Sequence, residues 1–169
     1  MCSSDLAKWE VLTQNISYVK ETTGKNLNAH SLWCTYNALN LMEFCDFIAD
    51  SGNFDGIYWQ AMSSHPALNV YAQTTEFKTL ALKELDRCIE KYDNNPAIKT
   101  SILKQIREQL IKTIEDYSWI EQTEQTHLDF SSNLSEKMFH DWVDDLEKKL
   151  PKKKNMQELW PEIYELYPR

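Results

Sequence analysis

The sequence predicts an all-α fold, a single-domain helical bundle over 1–169 with about five to seven helices around a buried central helix at 29–50. Three observations predict it. Apolar residues recur at helical spacing through most of the chain. Only three glycines, Gly24, Gly52 and Gly56, are present, few for a fold built from tight hairpin turns. A hydrophobic content of 42% with 12% aromatics in 169 residues is enough to build a core.

The central helix rests on Trp33, Tyr36, Leu39, Phe44, Phe47 and Ile48, which recur at steps of mostly three to five. Leu32, Leu41, Met42 and Cys45 widen this arc until little polar surface remains. A helix apolar nearly all round belongs inside a bundle. Asn28 is its expected N-cap, and Gly52 its expected left-handed stop. Thr35, Asn37, Asn40, Glu43 and Asp46 interrupt the run, which argues against a membrane span of roughly 20 apolar residues.

The other helices follow from the same spacing. Leu6, Trp9, Leu12, Ile16 and Val19 give an amphipathic helix over 4–22, closed by Gly24. Ile57, Tyr58 and Trp59 start a short helix or cross the bundle as an extended piece. A short helical stretch over 66–73 leads into a helix over 76–92, capped by Thr74 or Thr75. Asn95 and Pro96 are expected as N-cap and first residue of a helix over 96–124. On its polar side, Lys104–Glu108 and Lys112–Asp116 read as i,i+4 pairs. Further helices are expected over 135–150 and, after a capping box at Asn155–Glu158, over 156–167.

Charge narrows the function classes. A net charge of −8 and a pI of about 5 disfavour a duplex nucleic-acid binder and suit a basic protein partner. The N-terminus has no signal-peptide pattern, so a cytoplasmic location is expected, with non-classical secretion left open. The four cysteines lie far apart with no C-x-x-C pair, and reduced thiols are the simplest reading. Cys34 and Cys45 on one helix would stand about 16 Å apart, too far to bridge. Cys34–Cys88 and Cys45–Cys88 stay open as cross-helix pairs.

No phosphate loop, nucleophile elbow, zincin or dinucleotide pattern occurs, so no catalytic residue and no cofactor are assigned. His30 and Cys34, one helical turn apart, are the weak candidates for a metal. A structural zinc site needs four ligands, however, and no second pair accompanies them. The basic run from Lys148 to Lys154 reads as a solvated turn after an acidic helix. The aromatics Tyr58, Trp59, Trp160, Tyr164 and Tyr167, with the carboxylates Asp141, Asp144 and Asp145, are the candidate interaction residues. Three arginines against abundant Lys, Asn and Ile fit an A+T-rich, microbial genome. The expectation is a non-catalytic protein-binding module, of the immunity, antagonist or effector kind, acting through an acidic, aromatic surface. The alternative is a small helical enzyme or a metal- or ligand-binding bundle with a pocket near His30, Cys34 or His140.

Overall fold

Residues Leu27–Trp33 are extended, and their side chains alternate between open and buried. They form β1, which pairs in parallel with β2, Phe54–Ala61. The all-α expectation is therefore corrected. The computed structural model, which describes residues 9–62, 66–115, 132–149 and 161–166, is a mixed helix and strand structure with a two-stranded parallel sheet. Between the strands lies α2, Leu41–Ser51. The helix expected over 29–50 is in fact a strand, a turn and an eleven-residue helix.

The side chain of Asn37 shows why that helix does not form. Its Oδ1 accepts from the Cys34 amide at 2.9 Å and its Nδ2 donates to the Leu32 carbonyl at 2.8 Å. Asparagine bonded to its own backbone competes with helical hydrogen bonds. The Thr35 amide leaves the segment altogether and donates to Leu68 O at 3.0 Å. The dense apolar run was thus two patterns joined end to end. In β1 the period is two, with Ser31 and Trp33 inward. In α2 it is helical, with Leu41, Cys45 and Ile48 inward.

Helix α2 starts and ends by different devices. Asn40 precedes it but makes no side-chain cap. Instead Glu84 Oε1, from α3 (Thr75–Tyr92), accepts from the Met42 amide at 3.0 Å. A carboxylate at a helix N-terminus meets both free amides and the positive end of the dipole. Gly52 stops the helix in the left-handed region at φ 63°, as expected.

Helix α3 follows two short 3-10 turns, Pro66–Leu68 and Val70–Ala72. Thr74 caps it by accepting from Phe77 N at 3.3 Å. The next helix, α4, spans Thr100–Glu115 and starts later than proline at its first turn would require. Asn95 Oδ1 instead accepts from Ala97 N, and the 95–98 turn straps the outer side of β2. Ile57 N donates to Ala97 O and the Trp59 indole donates to Ile98 O, both at 2.8 Å. Lys99 then takes a positive φ of 51° and lays its stem over Gly56, where a Cβ would meet Lys99 Cε at 2.8 Å. On α4, Lys104 pairs with Asp93 and Arg107 with Asp86, so long-range partners answer these cations in place of the expected local Lys104–Glu108 pair.

Helices α3 and α4 pack as an antiparallel-type neighbour pair, and their inner faces join β1, α2 and β2 in one core. Trp33, Phe77, Leu85, Ile98, Leu103 and Leu110 are among its fully buried side chains. Helix α5, Ser132–Lys149, rests on the 66–68 turn and sets Trp142 against Tyr36 at 4.8 Å between ring centres. Ile163 of the short α6, Pro161–Leu166, is buried. The N-terminal helix α1, Trp9–Thr23, closes at Gly24 (φ 67°) and buries none of its residues. No described helix is long and apolar enough to cross a membrane.

Candidate protein-binding surface

The two strands sort the predicted aromatic pair to opposite sides. Tyr58 faces outward and is 59% exposed, while Trp59 is 3% exposed and tied to Ile98 O. Side chains alternate across a strand, so adjacent residues cannot share a face. Trp59 therefore leaves the candidate surface and joins the core. In its place the register brings His30 opposite Tyr58, with the rings edge to face at 5.2 Å. Leu32, also exposed, lies two residues along the same face.

His30 and Cys34 do not converge. The helical turn that would have joined them is strand and turn. His30 is exposed, whereas Cys34 is buried, with Tyr36 and Asn37 as its backbone partners. Burial pushes the Cys34 thiol up, which disfavours the thiolate that metal binding or nucleophilic attack needs. No three His, Cys, Asp or Glu side chains among the described residues are grouped to hold a metal ion.

Asp141, Asp144 and Asp145 are exposed on α5, whose other side turns Trp142 and Val143 inward. Trp160 and Tyr167 lie outside the described residues. Tyr164 lies on α6 but its side chain is not among those described.

Three members of the amphipathic stripe expected on the first helix, Trp9, Leu12 and Val19, are exposed. Trp9, Val11, Leu12, Tyr18 and Val19, all on α1, are five of the eight large hydrophobic residues exposed among the described residues. Val11, Leu12, Tyr18 and Val19 fall within an arc of about 120° at the helical repeat. Trp9 meets Phe47 with tilted rings, 4.9 Å between centres, and Lys20 donates to Gly52 O. Between α1 and α2 lies a cleft of about 360 Å³ lined by Trp9, Asn40, Glu43, Phe44 and Phe47. Glu43 is exposed beside these rings. Aromatic faces and a carboxylate together suit a Lys or Arg side chain, by cation–π and charge attraction. Asp46, one turn further along α2, is already engaged by Lys91 at 2.8 Å and by the Tyr92 hydroxyl, and these bonds pull its carboxyl below the usual range.

One signal in the sequence pointed to α1. Val11 and Tyr18 lie beside the predicted stripe, so the apolar arc is wider than one buried face requires. No family model matches the chain, and no curated protein or solved structure shows significant similarity to it.

Proposed function

We propose that the chain is a non-catalytic protein-binding module, of the immunity, antagonist or effector kind, that docks a basic protein partner. The observation that carries the reading is α1. A helix that buries none of its residues yet exposes five large hydrophobics is what a docking surface supplies before its partner arrives. The neighbouring cleft adds rings and Glu43, and the chain as a whole carries a net charge of −8. Such a surface speeds encounter with a positive partner and makes binding salt-sensitive.

The test is capture of partners at low and high salt, comparing the unchanged chain with a Leu12→Ser/Tyr18→Ala variant. Both positions are exposed, so folding should be unaffected. The expected outcome is one partner, retained at low salt, whose affinity falls about tenfold or more in the variant. A partner whose binding ignores both salt and the variant counts against this surface; finding no partner counts against the whole reading.

A further inference from the structure

Hydrogen bonds fix the phase of the β1 backbone. Met62 N donates to Trp33 O at 2.9 Å, and Trp33 is matched to Ala61. In a parallel ladder one residue turns its N–H and C=O to the neighbouring strand, and the next turns both the other way. Ala29, Ser31 and Trp33 therefore bond β2, while Asn28, His30 and Leu32 turn their backbone groups to the outer edge. The Asn37 side chain agrees with this phase, since it takes up Leu32 O and Cys34 N and so ends the edge there. Among the described residues no strand but β2 pairs with β1, and nothing bonds the outward groups of Asn28 and His30 or the Leu32 amide.

The face beside this edge is uncharged. It exposes Asn28, His30 and Leu32, with Tyr58 and Gln60 of β2. Neither residues 26–42 nor residues 56–75 include Asp, Glu, Lys or Arg, in a chain that is 26% charged. β1 also holds no proline and no lysine, the residues that commonly blunt an edge. An open edge invites another strand. This one offers no charge to the basic partner proposed above. It is instead where a chain of net charge −8 meets its own copy with least repulsion.

We propose that β1 pairs antiparallel with β1 of a second copy, across a two-fold axis at His30. The two His30 residues then exchange both backbone bonds. Asn28 opposes Leu32 of the second copy, whose carbonyl keeps a lone pair beside the one given to Asn37. His30 is matched to Tyr58, and their rings meet edge to face at 5.2 Å, so the pairing extends a row of rings from both copies across one face. The association stops at two. The outer edge of β2 is taken by the 95–98 turn, where Ile57 N donates to Ala97 O, so the joined sheet ends on covered edges. One short strand pair buries less than the roughly 1,200 Å² of a standard interface, and the dimer is accordingly weak, with a Kd of about 0.1 mM.

The test is sedimentation velocity of the full chain in reducing buffer, from about 10 µM to about 1 mM. The expected result is a monomer–dimer equilibrium that tightens with salt, because screening weakens like-charge repulsion. Docking to a basic partner has the opposite salt dependence, so the two surfaces are told apart. His30→Pro deletes only an outward N–H and suits the extended Ala29 before it. It is expected to weaken dimerisation about tenfold or more and to leave Tm within about 2 °C. Ser31→Pro, one residue on, loses a bond to β2 and is expected to lower Tm by about 5 °C or more. Amide exchange of the unsubstituted chain gives the same reading if His30→Pro folds poorly: the His30 amide exchanges fast when dilute and slows when concentrated, while the Ser31 amide is slow throughout. A chain still monomeric at about 1 mM, a dimer indifferent to His30→Pro, growth into larger oligomers, or a His30 amide whose exchange ignores concentration would each overturn the proposal.

Discussion

Residues 27–61 and residues 75–115 are of similar length and share one core, yet they are held in different ways. The second region is two helices whose own sequences announce them. Phe77, Ala81, Leu85, Cys88 and Tyr92 of α3 and Leu103, Ile106 and Leu110 of α4 are all buried, at helical spacing. The first region is completed by groups far away in the chain. Glu84 meets the start of α2, Leu68 receives the Thr35 amide, and Ala97 receives the Ile57 amide. A helix satisfies its own backbone, whereas a strand must borrow partners. Periodicity therefore reads the second region well and the first poorly.

The largest expected effect tests whether β1 is as much core as α3. Trp33→Ala should cost about 3–5 kcal/mol, comparable to the about 2–5 kcal/mol expected for Leu85→Ala, both side chains being fully buried. Urea unfolding of the two variants side by side checks this. A loss under about 1 kcal/mol at Trp33 would show that β1 is not integral to the core.

Next comes Lys78, a buried amine in the helix pair. It donates to Thr113 O at 2.8 Å, and burial lowers its pKa to about 8. The unfolded chain holds this proton up to its ordinary value near 10.5, so it binds more protons than the folded chain between pH 8 and 10.5. This group's contribution to stability therefore rises with pH across that window, by at most about 3 kcal/mol, and its full penalty is present below pH 8. Lys78→Met should flatten that rise. Denaturation midpoints at pH 7, 8 and 9.5 give the measurement, and an unchanged slope in the variant would count against the buried-amine account.

A smaller effect isolates the borrowed cap. Glu84→Ala should cost about 2 kcal/mol, because the Met42 amide and the Arg87 guanidinium both lose their acceptor. Amide exchange should quicken in the first turn of α2 more than in α4. Equal quickening in both would mean that Glu84 steadies α3 alone. The smallest effect is at the far end of α2. Gly52→Ala should cost about 1 kcal/mol, since φ 63° strains any residue with a Cβ. Thermal denaturation suffices to read it.

Much of the helical part was legible in the sequence. Thr74 as a cap, and Gly24 and Gly52 as stops, stand where turn and cap chemistry puts them. The strands were hidden for a physical reason. Trp33 and Tyr36 occur at a helical step, but Asn37 binds the Leu32 and Cys34 backbone that a helix would need. Nothing local in Asn95 or Pro96 says that the turn they open will serve β2. The candidate surface was partly legible: Tyr58 and the Asp141, Asp144 and Asp145 carboxylates are outward. Trp59 was misplaced because the parity of a strand is unreadable until the strand itself is recognised. α1 was misread because amphipathicity says which face is apolar, and does not say whether the chain itself will cover that face.

The parallel pairing of β1 with β2 also bears on the order in which the chain assembles. Leu27 is matched to Phe54 and Trp33 to Ala61, so the sheet cannot close until the whole intervening segment, with α2, has been drawn into place. Helix α3 meets α4 across a turn of seven residues and needs no such wait. The helix pair is thus the natural early nucleus, and the 95–98 turn emerges from it with Ala97 O and Ile98 O positioned to receive β2. On this schedule the sheet follows the helix pair, templated by a turn that lies later in the chain than either of its strands.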